Sequence, residues 1–110
     1  MSSTQRIEAQ QKALEIAKRI LDRSLSPVEG AWAIYPCLSD LGLEDESRYV
    51  VFDAVRDETD HLPLQETRSH WNPQVLGEKL KELARIEDQY RDEIERACKE
   101  LEKYLKGQQY

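Results

Sequence analysis

From Leu76 to Tyr104 one spacing repeats: Leu76, Leu80, Leu83, Glu87, Tyr90, Ile94, Ala97, Leu101 and Tyr104 step alternately by four and three residues, with Glu87 the one acid among them. That is the signature of a helix with one apolar seam. Asn72 and Pro73 open it as cap and first helical residue, and it predicts a helix over about 73–106. At 1.5 Å per residue it is roughly 50 Å long. Asp92 and Arg96, Glu95 and Lys99, and Glu102 and Lys106 stand four apart with the acid leading, the favourable order for helical side-chain pairs. An element of this length in a chain of 110 residues leaves the remainder to line its seam.

The rest reads as helices that can do so. Between about 4 and 25, Ile7, Ala9, Ala13, Leu14, Ile16, Ala17, Ile20, Leu21 and Leu25 share half of a helical wheel, while Glu8, Lys12, Glu15, Arg19 and Asp22 take the other half. The sequence "SPVE" then supplies Ser26 as cap, Pro27 at the first position and Glu29 three residues after the cap, so a second helix is predicted over 27–41, with Pro36 inside it and Gly42 as its stop. "RYVVFDAV" (48–55) is ambiguous, because a short buried helix and a single short strand near 49–55 fit it equally. A further short helix is expected over 64–71, with Leu64, Thr67, Arg68 and Trp71 at helical spacing, and the stretch 44–71 forms an irregular acidic cap. The predicted fold is mainly α: a single domain over 1–110, a small helical bundle with a long C-terminal helix. One Phe and four Gly lean away from sandwiches and barrels.

Charge is concentrated in that cap. Nine of the 22 acids but only two of the 16 bases lie between Asp40 and Glu66, a local charge of −7; the remaining thirteen acids and fourteen bases sum to +1. Nucleic acid is a poor partner for such a segment, since phosphate binding relies on Lys and Arg. A basic protein surface suits it, with Glu44, Asp45, Glu46, Asp53, Asp57 and Glu58 as the partner-binding residues. No stretch nears the roughly 20 apolar residues of a membrane span, and the first twelve residues lack a secretory apolar core, so a cytoplasmic chain is expected. Cys37 and Cys98, without CxxC spacing, read as buried free thiols.

The densest knot of chemistry is "DETDHLP" (57–63). Were it helical, Asp53, Asp57 and His61 would stack at four-residue steps, and Glu58-Thr-Asp-His61 is an E-x-x-H step of the kind that di-iron bundles use. Such bundles need two of these steps and two more Glu residues, and here there is one step. A small metal-dependent enzyme centred on 57–61 is therefore the weaker reading, and no catalytic residue, metal ligand or cofactor is assigned. The expected role is a structured turn: Asp60 caps it by accepting backbone N–H bonds, His61 sits between acids and core, Pro63 ends it, and Asp57 and Glu58 face outward. No nucleophile with a partnering base and no glycine-rich phosphate loop is recognisable.

"ETDHLP", followed by Arg68 and Trp71 and then by the rhythm of Leu76 to Leu101, resembles a widespread set of small uncharacterised bacterial proteins over roughly residues 30–105. The likeness implies a mainly helical domain and carries no activity. In type, size and acidity the chain is also similar to immunity proteins, which shield bacteria from their own nuclease toxins by binding them. The expected function is thus a non-enzymatic protein-binding module, with an immunity protein facing a basic nuclease toxin as its sharpest form. The alternative is a structural or regulatory module that dimerises through 83–105.

Overall fold

Ser26 begins the most legible element. Its hydroxyl accepts the Glu29 N–H at 3.1 Å, Pro27 takes the first helical position, and α2 runs Pro27–Asp40 as the motif requires. The computed structural model describes residues 3–62 and 72–107. Within them α1 (Ser3–Leu21) precedes α2, α3 spans Val50–Thr59 and α4 spans Pro73–Gly107. The long axis of the molecule, 51 Å, is the length of α4.

α1 and α2 form an antiparallel hairpin: Gln5 to Lys12 lie beside Pro36 to Asp40, and Ile16 and Arg19 beside Glu29, Trp32 and Ala33. Small residues allow the close approach. Ala13, Ala17 and Ala31 are fully buried, and a Cβ at Gly30 would collide with the Ile20 side chain. Both helices end in the same way. Ser24 N–H bonds the Arg19 carbonyl and Arg23 N–H that of Ile20; Leu43 N–H bonds the Leu38 carbonyl and Gly42 N–H that of Ser39. Each is the paired 6→1 and 5→2 pattern that stops a helix with one left-handed residue. Gly42 fills that place in α2, as expected, at φ 70°. In α1 it is filled by Arg23 at φ 65°, which ends the helix at Leu21 rather than near residue 25. Pro36 stands on the exposed side of α2 and leaves the Trp32 carbonyl without its helical N–H.

The 49–55 segment is helix, not strand. Val51, Phe52, Val55 and Thr59 are buried at spacings of one, three and four, the inner face of a short helix, and among the described residues there is no strand. α3 lies antiparallel along α4, since Arg48 meets Tyr104, Glu58 meets Tyr90 and His61 meets Glu82. The expected 64–71 helix, with Pro63, Leu64 and Trp71, lies outside the described residues.

α4 buries Leu83, Ile86, Ile94, Ala97, Cys98, Leu101 and Leu105, whereas Leu80, Tyr90 and Tyr104 are only half-buried. The apolar stripe therefore follows the 3.6-residue period of a straight helix in a bundle rather than the 3.5-residue seam of a coiled coil, and drifts from Leu80 to Leu105. Ile94 and Leu101 are fully buried within the chain's own core, so they offer no seam to a second chain. Buried side chains of all four helices join in one cluster with Leu41, Leu43, Tyr49 and Leu62. Cys37 and Cys98 are free and buried, and burial pushes the Cys98 thiol up to about 12.

Candidate protein-binding surface

The carboxylates of 44–61 fall at both ends of α3. Its ten residues separate Glu44, Asp45 and Glu46 from Asp57, Glu58 and Asp60 by about 15 Å, with Asp53 between them. Asp45, Asp57, Glu58 and Asp60 are exposed. The others have internal duties. Glu46 accepts from Arg48 at 3.1 Å, Asp53 from Arg56 at 3.3 Å, and Glu44 is half-buried with its Oε2 enclosed and without a hydrogen-bond partner among the described residues.

Two expectations at "DETDHLP" are corrected. Residues 57–59 are the last turn of α3 and not a loop; the turn begins at Asp60. Acids at a helix C-terminus oppose the helix dipole, but here the end is held from outside. Thr59, fully buried, accepts the Trp32 indole N–H at 2.9 Å and donates to the Val55 carbonyl at 2.7 Å. Glu58 accepts the Tyr90 hydroxyl at 2.7 Å, which raises the Tyr90 pKa, so this carboxylate is a strut to α4 as well as a surface charge. Asp60, second, has helical backbone angles (φ −64°, ψ −23°), and among the described residues its carboxylate meets the His61 ring, Nδ1 at 3.6 Å, rather than backbone N–H groups. His61 Nε2 lies 3.6 Å from Glu82, itself 3.6 Å from Lys79. Leu62 returns to the core.

Ligand-type side chains therefore diverge: Glu58 turns to Tyr90, Asp53 to Arg56 and His61 to Asp60 and Glu82. Among the described residues no group of three or more His, Cys, Asp or Glu is placed to hold a metal ion.

The two bases of the stretch are both anchored on rings. The Arg56 guanidinium lies 4.0 Å from the Tyr35 ring centroid and 4.9 Å from that of Trp32; Arg48 lies 5.0 Å from both Tyr49 and Tyr104. Stacking of this kind is worth about 0.5–1 kcal/mol at exposed sites. Beneath Arg48 the Tyr49 hydroxyl is buried without a hydrogen-bond partner among the described residues, and burial pushes its pKa up to about 12. Between α3 and α4 a groove of about 400 Å³ is floored by Val50, Val51, Ala54 and Ala97 and edged by Tyr90, Glu93, Arg96 and Glu100. Sequence reasoning left Glu93 and Glu100 unnamed and read Tyr90 only as a seam residue and Arg96 only as a helical partner of Asp92. Their signal was the exposed phase of α4, which the buried seam overshadowed.

Glu87 has its own place. Its half-buried carboxyl faces the Ser26 hydroxyl and the Val28 N–H at the start of α2, with Arg91 beside it; desolvation outweighs these bonds and holds the carboxyl above its usual pKa. Residues 2–101 match the family model DUF2489, a protein of unknown function. The chain belongs to that family. The matched span takes in α1, α2, α3 and all but the end of α4, so family membership covers the bundle as a whole. No curated protein and no solved structure matches the chain. Among the described residues no helix is long and apolar enough to cross a membrane.

Proposed function

We propose that the chain is a non-enzymatic protein-binding module, and that the acidic face along α3 docks a basic protein surface, in the manner of a bacterial immunity protein covering the cleft of a nuclease toxin. One observation carries this reading. The seven carboxylates of residues 44–61 face two bases, and both bases are drawn onto aromatic rings and bonded to acids of their own, Arg48 to Glu46 and Arg56 to Asp53. Asp45, Asp57 and Asp60 are left exposed around them. Such a face speeds encounter with a cationic partner and rejects acidic ones.

The gene immediately upstream supplies the test. Its product, a secreted protein with a small basic C-terminal domain on this reading, is mixed with the chain in stopped flow over a range of salt. Asp57→Lys with Asp60→Lys should slow association at least ten-fold at low ionic strength and flatten its salt dependence. Unchanged association at every salt concentration, or no binding of that basic domain, would sink the proposal.

A further inference from the structure

The outward face of α4 carries a pattern that the acidic surface does not use. Glu93, Arg96, Glu100 and Lys103 recur at steps of three, four and three, all are exposed, and their charges alternate in sign. Each has an oppositely charged neighbour three or four residues away, the separation at which helical ion pairs form. None of them forms an ion pair among the described residues, whereas Glu102 and Lys106 on the same helix do, at 3.7 Å.

The alternation has a symmetry. A two-fold axis at the level of Cys98 carries position 93 onto 103 and position 96 onto 100, so it exchanges acid for base at every step. From this we infer that the chain self-associates as an antiparallel pair, with the outer stripe of α4 from one copy laid on that of the other. Glu93 of one copy meets Lys103 of the other, Arg96 meets Glu100, and the two-fold repeats both pairs, as an isologous interface must. A parallel pair would set every charge against its like. Lys99 meets its own copy near the axis, a like-charge contact that long side chains relieve by splaying.

Exposed ion pairs contribute little each, so an interface needs apolar area beside them. The groove between α3 and α4 lies on the adjoining side of the stripe, and its floor includes Val50, a large apolar residue left 47% exposed, with Ala54. The occupant is a second copy because the charge order complements itself about a single point. This inference is independent of the acidic α3 face and of any toxin. It also moves the expected dimer surface from Ile94 and Leu101, which the core consumes, to the opposite side of the same helix.

Sedimentation velocity on the full chain tests it, with circular dichroism as a check on folding. The parent should form dimers that dissociate as salt is raised. Glu93→Lys and Lys103→Glu, each altering two symmetry-related contacts, should separately raise the dimer dissociation constant at least ten-fold. The double swap, which restores opposite charges at every step, should return it to within about three-fold of the parent. A parent that stays monomeric up to about 1 mM, the range of the weakest specific affinities, overturns the inference. Single variants that dimerise like the parent overturn it too, as does a double swap no better than its components.

Discussion

Thr59→Val isolates the joint that fixes α3, and with it the acidic face, against α2. The substitution preserves shape and removes one hydroxyl, which accepts the Trp32 indole N–H at 2.9 Å and donates to the Val55 carbonyl at 2.7 Å. The Val55 carbonyl keeps the N–H of residue 59 in the α3 ladder, so it is not orphaned. The indole N–H loses its partner in a half-buried position, where an unsatisfied donor costs about 1–3 kcal/mol. Exchanging the hydroxyl for a methyl in a fully buried site offsets up to about 0.8 kcal/mol of this. The net expectation is a loss of about 1–2 kcal/mol in urea unfolding, or roughly 4–10 °C in Tm for a domain of this size. Trp32→Phe removes the donor instead. In that background Thr59→Val should cost less than about 0.5 kcal/mol, giving a coupling near 1 kcal/mol in the double-mutant cycle. Additive single effects, or a Thr59→Val protein as stable as the parent, would show that the bond does not secure α3.

Gly30 and Gly77 should respond in opposite directions to alanine. At Gly30 the new methyl meets Ile20 where α1 and α2 are closest, and overpacking should cost about 1–3 kcal/mol; at Gly77, with nothing near its would-be Cβ among the described residues, alanine should add up to about 1 kcal/mol by helix propensity. Thermal melts of the two variants check both signs. Glu87→Gln should be at least as stable as the parent at pH 7, because the amide keeps an acceptor for Ser26 and Val28 and removes a half-buried charge. The folded carboxyl lies above its ordinary 4.5, so its contribution to stability is complete below 4.5 and is lost as pH rises through the folded value. The parent's deficit relative to Glu87→Gln should therefore shrink as pH falls from 7 towards 4.5, and a deficit that widens on acidification would refute the assignment.

Local signals foretold local structure. Ser26, Pro27 and Glu29 announced the start of α2 and Gly42 its end, because caps are made by neighbours in the chain. The end of α1 was hidden, since Arg23 takes a left-handed conformation for which sequence shows no glycine. Residues 49–55 could not be assigned from an apolar run alone; the deciding pattern, Phe52, Val55 and Thr59 on one face, needed a residue that looks polar to be counted as buried. At the surface, the segregation of charge was legible but its internal pairing was not. Glu58 and Tyr90 are 32 residues apart, Trp32 and Thr59 are 27 apart, and only the packing of α3 on its neighbours brings them together.

The order of packing along the chain bears on how quickly it assembles. α1 meets α2, α2 meets α3 and α3 meets α4, each with its successor, and the long-range closures are the contacts of α1 and of α2 with α4. Loop entropy is therefore spent in small instalments, the regime in which helical domains fold within microseconds to milliseconds. The hairpin of α1 and α2, with its alanine-lined contact and the Ser26 cap between its arms, is the natural nucleus. Substitutions there should slow refolding, whereas those at the α3–α4 strut of Glu58 and Tyr90 should chiefly hasten unfolding.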